Sequence, residues 1–139
     1  MQPLYRVLFA VICMVLGSVF PGTAHALCAS PRDMTAIWTT QQGVYHVRQI
    51  GNEVYWVGMS NDGGKSWMHV FRGTKSGNIV TGTWADVPPG HFRNSGTLSV
   101  RVYGTNGVSG FTRTAATGGF GDSRWGLSCE DVVLNPVGR

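Results

Sequence analysis

Apolar and polar residues alternate with a period of two along most of the chain after Ala36, which is the signature of strands with one face buried. The alternation is cleanest over Thr97–Tyr103, where Leu98, Val100 and Val102 face one side and Thr97, Ser99 and Arg101 the other. Over Val44–Ile50, Tyr45, Val47 and Gln49 share a face opposite Val44, His46, Arg48 and Ile50. Val54–Met59 is apolar on both faces and reads as a central strand. Ser66–Arg72 places Trp67, His69 and Phe71 together against Met68 and Val70. Further strands are expected over Ala36–Thr40, Ile79–Trp84, Val108–Thr114, Trp125–Cys129 and Asp131–Leu134.

Glycine-rich turns separate these runs at Gly43, Gly51-Asn52, Asp62-Gly63-Gly64, Gly77-Asn78 and Asn106-Gly107. Gly82 falls inside a strand, where glycine marks a bulge, a bend or a close approach of another backbone. Ala115–Arg124 is glycine-rich and reads as a mobile loop. The pattern predicts an all-β fold of about eight strands, a single small antiparallel β-barrel of meander topology, with a β-sandwich as the alternative.

Composition changes this picture little. Of 20 glycines, 18 follow residue 26, and the formal charge of the whole chain is only +4. The arginines and lysines form no tract or stripe, so a nucleic-acid partner is not expected.

Residues 1–26 have the features of an export signal: Arg6, the uncharged apolar run Val7–Phe20, the break at Pro21-Gly22, and the small-residue cleavage pattern Ala24-His25-Ala26. The run of about 14 residues is short for a spanning helix, which needs about 20. A mature domain over residues 27–139, periplasmic or extracellular and without a stable membrane span, is the expectation. Within it Cys28 and Cys129 lie near the two ends, and a disulfide between them would close the domain. Two free or intermolecular thiols are the other possibility.

Ser60-Asn61-Asp62-Gly63-Gly64-Lys65-Ser66-Trp67 fits the pattern S-x-D-x-G-x-[ST]-[WF], with Ser60, Asp62, Gly64 and Trp67 among its defined positions. It resembles the Asp-box of sialidases and other secreted β proteins, a hairpin device that lies away from the active site. One copy in a chain of this length fits no sialidase propeller. A wider span, Tyr45–Gly58, Val70–Gly90 and Gly96–Val100, resembles a set of small exported bacterial β domains, with phrases such as Tyr45-His46-Val47-Arg48-Gln49-Ile50-Gly51-Asn52 and Trp84-Ala85-Asp86-Val87-Pro88. This resemblance implies export and transfers no catalytic residue.

The tryptophans carry the strongest functional signal. All five lie beyond residue 26, and an aromatic groove or barrel mouth would hold a sugar ring or another small ligand. Tyr45, Trp56 and Trp84 are the expected ligand-binding residues, with Pro88–Ser95 and Ala115–Arg124 as the rim. Glu53 and Asp86 are weaker candidates for the carboxylates of a small hydrolase acting on RNA or glycan. An envelope module that pairs through a strand edge is the third reading. His46, His69 and His91 are not spaced as a metal set, and neither metal nor cofactor is expected. The sequence does not fix an oligomeric state.

Overall fold

The structure is a computed structural model and describes residues 30–128. Cys28, Cys129, the export signal and the strand expected at Asp131–Leu134 lie outside the described residues. Eight strands run in chain order: β1 (Ala36–Thr39), β2 (Gly43–Ile50), β3 (Glu53–Ser60), β4 (Met68–Ser76), β5 (Ile79–Asp86), β6 (Ser95–Tyr103), β7 (Gly110–Ala116) and β8 (Arg124–Leu127). Each pairs antiparallel with its sequence neighbour, and β8 pairs with β1 through Trp38–Leu127 and Thr39–Gly126. The result is a closed up-and-down barrel, as the alternation and the hairpin-length turns predict. No helix occurs among the described residues.

Gly51 (φ 59°) and Gly77 (φ 58°) occupy the first position of two-residue hairpin turns, where a left-handed backbone matches the twist of the flanking strands. β4 starts two residues later than the sequence pattern indicates. The Ser66 and Trp67 amides are occupied by the turn, donating to Asp62 Oδ1 (3.2 Å) and Ser60 Oγ (3.2 Å).

Register sorts the inward side chains of β2 to β6 into rows. Tyr45, Gly58, His69 and Asp86 form the row at one end, here called the mouth. Val47, Trp56, Phe71, Trp84 and Gly96 form the next. Gln49, Val54, Gly73, Gly82 and Leu98 form the third. In that third row Gly73 and Gly82 are paired, and a Cβ on Gly82 would lie 2.4 Å from the Gly73 Cα. Gly82 therefore marks a close approach of two backbones with the register intact, and not a bulge. The register shift falls instead between Ser99 and Val100, where β6 meets β7.

The core is aromatic. Trp56 stacks on Phe71 (centroids 3.8 Å, 15° between planes), and Phe111 stacks on Trp125 (4.7 Å, 17°). Trp38, opposite Tyr45 in β1, donates its Nε1–H to the Met34 carbonyl at 2.9 Å, and the Met34 amide donates to Gln49 Oε1 of the third row at 3.2 Å.

Candidate functional site

The mouth is built from three segments that the strand order brings together. The first is the Ser60–Trp67 turn. Gly63 and Gly64 take positive φ (74° and 83°), which lets the chain fold back within one turn. The Ser60 hydroxyl donates to Asp62, and Ser66 Oγ donates to Asp62 Oδ2 at 2.6 Å. These donors, with the Ser66 amide, hold the Asp62 carboxyl well below the usual carboxylate range. The turn delivers Trp67 to the edge of the barrel, where its ring stacks on His69 (5.1 Å, 11°).

The second segment is the β5–β6 connection. Asp86 and Asn94 bond reciprocally, the Asp86 amide donating to Asn94 O and the Asn94 amide donating to Asp86 Oδ2, each at 2.8 Å. This sets Phe92, 56 % exposed, at the rim.

The third is the glycine-rich β7–β8 connection, expected to be mobile. Here it is tied down. The Arg113 guanidinium donates to the carbonyl oxygens of Phe120 and Gly121, and the Arg113 amide donates to Ser123 O at 2.8 Å. Gly118 and Gly119 take positive φ and turn the loop inward. Phe120 and Asp122 are buried as a result.

Between these segments lies a cavity of about 240 Å³. Tyr45, Trp67, His69, Trp84 and Phe120 supply its aromatic walls, and Gln42, Asp86, Asn94 and Asp122 its polar groups. His69 is the hub: Phe120 (4.9 Å), Trp67 (5.1 Å), Tyr45 (5.4 Å) and Trp84 (6.0 Å) all pack on its ring. Burial pushes His69 from its ordinary 6.5 down to about 4, so it is neutral near pH 7. Its Nε2 is buried without a hydrogen-bond partner.

Gly58 makes this packing possible. A Cβ there would lie 2.5 Å from the Tyr45 ring and 2.6 Å from His69 Nε2, so both rings occupy the space a side chain would take.

Asp122 is only 7 % exposed, and its Oδ2 accepts a hydrogen bond from the Tyr45 hydroxyl. Burial, and next the charge of Asp122, push the Tyr45 phenol upward, so it stays protonated and keeps donating. Among the described residues Asp122 forms no ion pair; the one salt bridge there joins Arg72 and Glu53 (3.3 Å) on the barrel surface.

Of the residues expected from sequence to bind a ligand, Tyr45 and Trp84 line this cavity. Trp84 is fixed there by donation from Nε1 to Thr117 O at 3.1 Å. Trp56 is not among the lining residues; it lies one row deeper, 2 % exposed, beneath Tyr45. Glu53 and Asp86 do not come together. Glu53 pairs with Thr74 and Asp86 with His69, so five residues of β4, about 17 Å, separate them. Asp86 and Asp122 share the cavity, but each accepts a hydrogen bond from a protein donor. Among the described residues no three His, Cys, Asp or Glu side chains converge as metal ligands.

Trp67 is expected from sequence only as part of the turn motif and His69 not at all, while Phe120 and Asp122 fall within the expected rim Ala115–Arg124 without being singled out. The shared face of Trp67 and His69 is a signal for that pair; the glycine-rich composition marks the segment of Phe120 and Asp122 as a loop but not those two side chains as buried. Comparison of the chain with protein-family models, with curated proteins and with solved structures found no match.

Proposed function

We propose that this chain is a binding protein that takes one small molecule, such as a single sugar ring or a compact organic ligand, into the mouth of its barrel. The observation that carries the reading is the cavity itself: aromatic walls around the buried Asp122 and the more exposed Gln42, Asp86 and Asn94, at one end of a closed barrel. Ligand sites combine apolar walls with a few convergent polar groups in this way. At about 240 Å³ the space suits a single ring and not an oligosaccharide.

Residues 1–26 act in this reading as an export signal, and Cys28 pairs with Cys129. The described chain supports that pairing at its two ends. Ser30 lies against Gly107 and Ser109, and Ser128 donates to Ile37 O at 3.0 Å, so both ends leave the barrel away from the mouth. The pairing of β1 with β8 leaves no free strand edge among the described strands, which weakens the reading as a strand-pairing module.

Calorimetric titration with glucose, N-acetylglucosamine and choline tests the proposal. The expected result is one-to-one saturable heat with at least one of them, weakened tenfold or more in Trp67→Ala, a loss of about 1.4 kcal/mol. Absence of saturable heat with all three would reject the mouth as a site for this class of ligand.

A further inference from the structure

The charge of the cavity lining is one-sided. Asp86 and Asp122 both face the space, and no lysine or arginine lines it. The one basic side chain in the wall, His69, is buried, 5 % exposed, among four aromatic rings. Three arginines lie near the mouth, and the cavity wall itself is left without a cation. Arg93 donates to the Gly90 and Phe92 carbonyls at the rim. Arg113 spends its guanidinium on the Phe120 and Gly121 carbonyls, and with Arg124 it lines a polar groove on the other side of Asp122, which Asp122 also lines. Neither forms an ion pair with Asp122.

A buried carboxylate with a hydroxyl donor and no cation within ion-pair distance among the described residues favours a guest that brings one. The faces of aromatic rings carry negative potential and attract cations, most strongly where water is excluded. Carboxylate and rings thus favour the same kind of guest and disfavour anions such as phosphate or a free carboxylate.

We infer that the ligand of the mouth is a small organic cation, an amine or a quaternary ammonium group, held by the Trp67, Trp84 and Phe120 rings with its charge toward Asp122. This rests on the proposal that the mouth binds a small molecule, and adds the charge of that molecule. Asp86 stands on the wall as the second anionic group, at the end of the same row as Tyr45 and His69. Tyr45, kept protonated, orients the Asp122 carboxylate and leaves it able to accept from an ammonium proton or to face a methylated one.

The test separates charge from shape. Choline and 3,3-dimethylbutan-1-ol have nearly the same size and differ by the positive charge. Titrated into the full-length protein, choline is expected to bind at least tenfold more tightly than the alcohol. Asp122→Asn, which keeps an acceptor for Tyr45, is expected to lower choline affinity tenfold or more and leave the alcohol unchanged. Asp86→Asn should lower choline affinity by a smaller factor, which gives a second readout if Asp122→Asn folds poorly. Equal binding of the two probes, or binding of glucose with none of choline, overturns the inference while the mouth remains a ligand site. No binding of choline, the alcohol or a monosaccharide overturns the inference together with the proposal beneath it.

Discussion

Trp56→Ala is expected to destabilise the barrel by about 3–5 kcal/mol, the cost of removing a large aromatic side chain from a filled core. Trp56 is 2 % exposed and occupies the middle row, stacked on Phe71 and packed against Phe111, Tyr45 and Trp125. Its neighbours are rings fixed on different strands, so they cannot collapse into the space without breaking their own stacking. Chemical denaturation of Trp56→Ala beside the unaltered protein measures the effect. A loss below about 1 kcal/mol would mean that the row is not packed as described.

Phenylalanine at the same position sharpens the point. Trp56 Nε1 is buried without a partner, so Trp56→Phe removes an unsatisfied donor along with some packing. Trp38→Phe removes a donor that satisfies the buried Met34 carbonyl. The second substitution should cost more than the first, although both delete the same atoms.

Acid is expected to weaken the fold through His69 by on the order of 3 kcal/mol. The unfolded chain takes up the proton near 6.5 and the folded chain only near 4. Between these values the unfolded state binds more protons, so the stability present above 6.5 is lost progressively as pH falls toward 4, and no more is lost from this group below that. Burial is the cause. It prevails even though Asp86 pairs with His69 in the sheet and Asp122 lines the same cavity, where both carboxylates would favour the imidazolium. His46 and His91 are exposed. His69→Phe should therefore be less sensitive to acid than the unaltered protein, with the gap in unfolding free energy widening from pH 7 to pH 4. Parallel curves for the two proteins would show that His69 is not buried as described.

Much of the fold is legible in the sequence because a barrel imposes a simple rule. In a closed antiparallel meander every strand alternates in and out, and Tyr45, Val47 and Gln49, or Leu98, Val100 and Val102, announce their inner face. The outward apolar residues of β3, Tyr55, Val57 and Met59, are the exception, and the sequence alone does not say that the far side of that strand meets no second sheet. The sequence pattern marks Gly82 as a special position, but only the register shows that it faces Gly73.

The site is less legible. Trp56 and Trp84 have the same in-facing parity and share a row. What separates them is the cover above: the Tyr45 and His69 rings lie over the bare Gly58 and close off Trp56, a consequence of three strands meeting. Trp84 meets the β7–β8 loop instead, through Thr117 and Phe120. Phe120 and Asp122 sit in a segment with no periodicity, and their burial depends on Arg113 gripping the loop from β7. A glycine-rich stretch gives no sign of such a clamp.

The central claim, that the mouth is a binding site, can be read directly from the indole N–H signals of the five tryptophans. In a nitrogen-15 correlation spectrum titrated in turn with choline and with glucose, at least one probe should shift the Trp67 and Trp84 indole signals along a saturable curve. Both rings line the cavity. The Trp38 indole, bonded to Met34 O and not among the lining residues, should stay in place. If neither probe moves Trp67 and Trp84, or if Trp38 moves as much as they do, the mouth is not the site.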